Sequence, residues 1–271
     1  MDSNMKTESE RQKGTQMFGE KSNEMVDSYF PIDNRPDYPE ELIKIIIDKT
    51  NLTAGSKLLE IGSGTGRATV KFADYGFEIV CIEPGIKGIE QAKAKLKGKD
   101  KNIKFIASIF EDYSAPPEYF DAVISAQAWH WVTQPLGYEI CSKILKKGGY
   151  LAPFWSIEVF DDSDLDRELW AVIEKYDAYV SCMRETDYAN RIESIASKIA
   201  GSGLFSKPEI IHVYLDKNYT AYDYFNYLHE CFSKQTDEFK QACREELLKL
   251  ADKYNGIKRR YTCELYLTQK I

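Results

Sequence analysis

The apolar positions of this chain change period repeatedly, and the changes predict its elements. In "RPDYPEELIKIIIDKT" Leu42, Ile45 and Ile46 recur at helical spacing behind Pro39, with Glu40 and Glu41 in the first turn, where the helix dipole favours anions. The short apolar run Lys57–Ile61 reads as a buried strand, and a helix is expected from about Thr65 to Tyr75, stopped by Gly76. Strand "EIVCI" and a helix carrying Ile89, Ala92 and Leu96 follow, then strands "IKFIA" and "FDAVISA", a helix through "GYEICSKILKK" and strand "GYLAPFW". Strands separated by helices of this length pair in parallel through right-handed crossovers, so the pattern predicts a doubly wound α/β sheet.

After Trp155 the alternation breaks. Residues from about Asp161 to Ala200 read as two helices, a strand "EIIHVYL" follows, then helices across "AYDYFNYLHECFSK" and "EFKQACREELLKLADKY", and a last strand "RRYTCELYLTQK" with alternating side chains. The expected organisation is a disordered stretch over 1–17, a core over 18–160, a helical insertion or lid over 161–200, and the C-terminal part of the core sheet over 201–271.

Composition narrows the class. With 271 residues, 43% hydrophobic, 29% charged and a net charge of −7, the chain reads as globular, without the clustered positive charge of a broad nucleic-acid surface. No apolar run reaches the roughly 20 residues of a membrane span, and the first residues lack a signal-peptide core, so a cytoplasmic protein is expected. Cys81, Cys141, Cys182, Cys231, Cys243 and Cys263 are scattered without metal-ligand spacing and are expected to be reduced, with no metal bound. Lys87, Lys93, Lys95, Lys97, Lys99, Lys101 and Lys104 read as a solvated face.

The loop "LLEIGSGTGRAT" connects the first strand to a helix, and Gly62, Ser63, Gly64 and Gly66 suit either a tight structural turn or a ligand approaching the main chain. Glu83 ends the second strand about 20 residues on, where a carboxylate can accept bonds from both hydroxyls of an adenosine ribose. Glu60, two residues before Gly62, would oppose a pyrophosphate and favour a cationic ligand. S-adenosylmethionine carries a sulfonium, an ammonium and a ribose without phosphate, and the loop departs from G-x-G-x-x-G, which weakens a nicotinamide reading.

The series "LLEIGSGTG", "VCIEPG", "FDAVISAQAWHWV" and "LKKGGYLAPFW" resembles class I S-adenosylmethionine-dependent methyltransferases over about Arg35 to Trp155, and "RPDYPEEL" with "SAQAWHWV" is similar to their small-molecule, trans-aconitate methyltransferase-like branch. The resemblance implies a mostly parallel seven-stranded Rossmann-like sheet with an antiparallel last strand. It implies that Glu60, Gly62 and Gly64 face the methionine part of the donor, Glu83 the ribose, Ser108 and Ile109 the adenine, and Gln127 the reacting methyl, with Tyr29 and Arg35 folding over the donor. At Ser108 the family often has an acidic residue. Arg67 reads either as a partner of the donor carboxylate or as a solvated first-turn residue.

Methyl transfer from a sulfonium gains chiefly from in-line positioning and needs a base only where the acceptor must lose a proton. His130, between Trp129 and Trp131 after the fourth strand, is the candidate base, with pocket shaping or packing as the alternative. His212 and His229 read as packing or surface residues. The absence of an Asn/Asp-Pro-Pro-aromatic stretch and of a cysteine in that loop argues against adenine, cytosine and pyrimidine C5 methylation. Trp170, Tyr176, Tyr179 and Tyr188 are candidates for an apolar acceptor wall, with Arg184 for its carboxylate, while packing of two helices on the sheet is the favoured reading of any one of them. The expected function is methyl transfer to an oxygen or nitrogen of a small molecule by a monomer or homodimer, against the alternative of a non-catalytic S-adenosylmethionine-binding protein.

Overall fold

A computed structural model describes residues 17–24, 35–178, 182–228, 232 and 235–271. The expected disordered stretch, apart from residue 17, and Tyr29, Tyr179, His229 and Cys231 lie outside the described residues. A short helix α1 covers residues 17–24, and α2 spans Glu40–Lys49. In α2 Leu42, Ile43 and Ile46 are fully buried and Ile45 only partly, so the apolar face is turned slightly from the expected one.

Strands β1 (Lys57–Ile61), β2 (Glu78–Ile82), β3 (Ile103–Ile106), β4 (Phe120–Ala126) and β5 (Leu145–Phe160) pair in parallel in the order β3-β2-β1-β4-β5. Helices α3 (Thr69–Phe72), α4 (Ile86–Lys95) and α5 (Leu136–Ile144) link them. The expected helix 65–75 is shorter, a loop to Ala68, then α3 and a 3-10 turn ending at left-handed Gly76. Lys146 and Lys147, expected on a helix, instead open β5, because α5 ends at Ile144.

Beyond β5 come α6 (Asp164–Tyr176), a three-residue strand β6 (Cys182–Arg184) paired with the end of β5, α7 (Glu185–Gly201), β7 (Glu209–Tyr219), α8 (Ala221–Leu228), α9 (Asp237–Tyr254) and β8 (Ile257–Gln269). Ser163 and Thr236 cap α6 and α9 by accepting the Asp166 and Phe239 N–H groups. The last strand enters between β5 and β7, antiparallel to both. That position covers it on both faces, so Tyr261–Leu267 are buried without the expected alternation. The β6 addition makes the sheet eight-stranded.

Helices α6, α8 and α9 close a second apolar cluster around Phe160, Leu169, Tyr224 and Leu247. Inside it Arg259 on β8 is buried between the carboxylates of Glu158 on β5 and Asp166 on α6, paired with both. The Tyr224 hydroxyl donates to Glu158 Oε1 at 2.7 Å. Burial pushes the Glu158 carboxyl above its ordinary range, against the Arg259 charge that lowers it. Among the described residues no helix is long and apolar enough to cross a membrane. Cys81, Cys141, Cys182, Cys243 and Cys263 are free thiols.

Candidate functional site

The site sits at the carboxyl ends of the parallel strands, where open α/β sheets leave a crevice. Gly62, Gly64 and Gly66 all take left-handed φ (69°, 51° and 76°), but for different reasons. A Cβ on Gly62 would lie 2.3 Å from the Ala128 Cβ, and one on Gly66 2.8 Å from the Ala92 Cβ, whereas a Cβ on Gly64 would meet nothing within 4 Å. The outer two glycines therefore serve chain packing, and Gly64 faces open space. Gly62→Ala is expected to cost more than about 2 kcal/mol, from the left-handed φ plus the collision with Ala128. Gly64→Ala is expected to cost only about 1 kcal/mol; equal urea midpoints for the two variants would contradict this assignment.

Glu83 ties the loop to the second strand. Its Oε2 accepts the Gly64 N–H at 2.9 Å, and its Oε1 accepts the Gly85 N–H at 2.8 Å and the Ser22 hydroxyl at 2.7 Å. Glu60 is 1% exposed, and its Oε2 accepts the Thr69 hydroxyl at 2.6 Å. Burial raises its carboxyl from 4.5 to about 7; the Thr69 bond opposes the rise and the nearby Glu83 charge adds to it.

One cavity gathers Arg35, Glu60, Gly62, Ser63, Gly64, Glu83, Ser108, Ile109 and Gln127, all expected at the site. Gly66 is not in its lining, because its tight turn is packed on α4 instead. The Ser108 hydroxyl donates to the Ile109 carbonyl at 2.8 Å. Arg67 reaches the cavity while donating to the Pro36 carbonyl at 2.6 Å, so it braces the segment before α2. Phe18, Lys21 and Ser22 of α1 also line the cavity and were not anticipated. Short polar segments far from the loop in sequence carry no local signal for such a role. Only the hydroxyl of Ser22 opposite Glu83 marks it, and that pairing spans 61 residues.

His130 lies outside this cavity, in a 3-10 turn over Trp129–Trp131. It lines a neighbouring cavity of about 480 Å³ that shares Gln127 and Val132 with the first. Trp129, Tyr138, Trp155, Ile157 and Ile195 supply its apolar walls, and Arg191 and Lys198 of α7 its charges. The Gln127 amide donates to the Ser156 carbonyl at 2.7 Å and so holds the partition between the two cavities. Crowding by neighbours and the Arg191 charge lower the His130 pKa.

Among the described residues the aromatic wall is not assembled, and the favoured packing reading holds. Trp170 packs on Phe160 and donates to Glu174 at 2.6 Å, and Tyr176 packs on Phe239 and donates to Glu246 at 3.0 Å. Arg184 pairs with Glu174 at 3.1 Å over the Trp170 ring. Tyr176 faces α9, whose apolar face arrives later in the chain and takes that surface, and Trp170 packs against the second cluster. Tyr188 packs instead beside the sheet near His212, which stands exposed on β7. In the lysine run Lys95 bonds Thr65 and Lys99 pairs with Asp74, a solvated face tied to neighbouring loops.

Comparison with known proteins agrees with this architecture. A methyltransferase-domain family model matches residues 59–152, from the first strand to the fifth. A probable S-adenosylmethionine-dependent methyltransferase of Saccharomyces cerevisiae is 36% identical over 124 residues, 45% of this chain and 42% of that protein. The matches span less than half the length of the curated relatives. A protein of Anaeromyxobacter dehalogenans assigned as a type II methyltransferase superposes with a TM-score of 0.62 at 18% identity, over 87% of this chain and 97% of that one. A Thiobacillus denitrificans S-adenosylmethionine-dependent methyltransferase in complex with S-adenosylhomocysteine superposes with a TM-score of 0.53 at 15% identity, over 91% and 97% of the two chains. Residues 59–152 therefore match a methyltransferase domain, and the sheet that carries them has the Rossmann-like fold of the superposed structures.

Proposed function

We propose that the protein transfers a methyl group from S-adenosylmethionine to an oxygen or nitrogen of a small-molecule acceptor. The observation that carries this reading is the pair of adjoining cavities at the strand ends, one built around the Gly64–Glu83 bond and the other vacant of carboxylates among the described residues. In this reading the first cavity holds the donor. Glu83 accepts from its ribose, Ser108 and Ile109 border its adenine, and Glu60, Gly62, Ser63 and Gly64 surround its amino-acid part, with Arg35 over it. Gln127, common to both linings, then stands where the sulfonium methyl meets the acceptor. The resemblance to the trans-aconitate methyltransferase-like branch supports a small acceptor over a nucleic acid, as does the net charge of −7.

No metal or covalent intermediate is required, because the sulfonium is already an activated donor and alignment supplies much of the acceleration. Calorimetric titration with S-adenosylhomocysteine tests the reading, and absence of binding removes it.

Glu60 makes that titration pH-dependent. A carboxyl raised from 4.5 to about 7 in the fold stabilises it below about pH 4.5 and loses that contribution as pH rises through 7. An ammonium bound nearby favours the carboxylate, so binding expels the proton. Affinity for S-adenosylhomocysteine should rise up to about eightfold between about pH 6 and pH 7.5, and Glu60→Gln should flatten the profile. A wild-type profile that is already flat would place the ammonium elsewhere.

A further inference from the structure

Four contacts seat α1 against the first cavity. The Ser22 hydroxyl donates to Glu83 Oε1 at 2.7 Å, and Asn23 Oδ1 accepts the Lys87 N–H at 2.9 Å. Lys87 lies in the first turn of α4, whose N-cap Gly85 offers no side chain, so Asn23 caps that helix from another element. The Lys21 ammonium lies 4.4 Å from the centroid of the Trp131 ring. Gly19 completes the seat. A Cβ there would come within 2.6 Å of the Pro84 carbonyl oxygen, and one on Gly85 would collide with the Ser22 hydroxyl. Neither glycine has a left-handed φ, so what the contact needs is the missing side chains.

A carboxylate has about four lone-pair sites. In Glu83 three are taken, by the Gly64 N–H on Oε2 and by the Gly85 N–H and the Ser22 hydroxyl on Oε1. The two adjacent hydroxyls of a ribose need two. Losing the Gly64 or Gly85 bond would loosen the glycine loop or the turn after β2, so the exchange that costs least is hydroxyl for hydroxyl at Ser22. Phe18 and Lys21 line the same cavity, and a lysine ammonium there opposes the sulfonium of the donor. We propose that α1 is a latch that competes with the donor: Ser22 holds the ribose acceptor of Glu83, and donor binding lifts α1 from the Pro84–Gly85 turn. The inference rests on the donor reading of the first cavity and adds its regulation. Lifting α1 also withdraws Asn23 from α4 and Lys21 from Trp131, so the helix leaves as a unit. The apparent Kd for the donor is then the intrinsic Kd divided by the fraction of molecules with α1 lifted.

The full chain and two variants, Ser22→Ala and Gly19→Ala, are titrated calorimetrically with S-adenosylhomocysteine. Ser22→Ala removes the competing hydroxyl. Gly19→Ala sets a Cβ against the Pro84 carbonyl while favouring the helix itself, so each variant should tighten binding about tenfold. Limited trypsin digestion, read by mass spectrometry at the bond after Lys21, follows α1 directly. Saturating S-adenosylhomocysteine should speed that cleavage at least about fivefold in the wild type, and both variants should be cut fast with or without ligand. A lid that closes over the donor gives the opposite signs, weaker binding in the variants and slower cleavage with ligand, and either result overturns the proposal. Unchanged affinity in both variants overturns it as well and leaves α1 a packing element. If wild type and variants all fail to bind S-adenosylhomocysteine, the donor reading falls and the latch with it. Binding that leaves cleavage after Lys21 unchanged removes the latch alone.

Discussion

Glu83→Ala is expected to weaken S-adenosylhomocysteine binding by about 100-fold, with the fold retained. Hydrogen bonds to a charged group contribute about 1.5–3 kcal/mol each, and about 2.7 kcal/mol is a hundredfold in affinity. The carboxylate acts twice. It holds the loop and strand ends together through the Gly64 and Gly85 N–H groups, and in the proposed complex it also accepts from the ribose. The Ser22 hydroxyl shares Oε1 with Gly85, so α1 is moored to the same group and should loosen with it. Glu83→Gln keeps one acceptor oxygen and should lose only about tenfold. Calorimetry decides the matter, and an alanine variant within about threefold of wild type would remove Glu83 from the donor site.

Arg259→Leu is expected to destabilise the protein by about 4 kcal/mol, because it strands Glu158 and Asp166 in the second core without their cation. For a chain of this size that is a fall in Tm of about 10 °C. The deficit should depend on pH in a definite direction. Glu158 is already raised by burial with Arg259 present, and loss of the cation raises it further. Its neutral form is tolerated in the core, so the variant's deficit is smallest near the ordinary carboxyl range and grows as pH rises through the folded pKa. Thermal unfolding at about pH 5 and about pH 7.5 should show the larger deficit at the higher pH. An equal Tm loss at both would mean that the pair is already neutralised or solvated. The test separates the second core from the donor site, which it does not touch.

Local pattern carried the first half of the chain because its rules are local. β1 and β4 are short apolar runs of parallel strands covered on both faces, and Gly76 and Pro39 mark the ends of helical segments by their own backbone limits. Glu60 and Glu83 were legible as strand-end carboxylates, Glu60 two residues before Gly62 and Glu83 directly after β2, and the structure brings both to one cavity. Ser22 and the other α1 residues were not, since their role depends on where a distant helix docks.

The same physics explains the outcome in the second half of the chain. The apolar faces of Trp170 and Tyr176 suit either a ligand or a neighbouring helix, and α8 and α9, met later in the chain, supply that neighbour. An apolar stripe specifies that something must cover it, not what does. The last strand lost its expected alternation because its place between β5 and β7 hides both faces.

Sequence alone determined the alternating α/β core, the glycine loop and the two acidic residues at its strand ends, because turns, caps and strand burial are written within a few residues of where they act. Tertiary structure decided the rest. It set Gly62 and Gly66 against Ala128 and Ala92, moved the aromatic insertion into a second core, and brought Trp155, Arg191 and Lys198 around His130. An imidazole's tautomer and surroundings are set by partners dozens of residues away, and no local pattern carries that information.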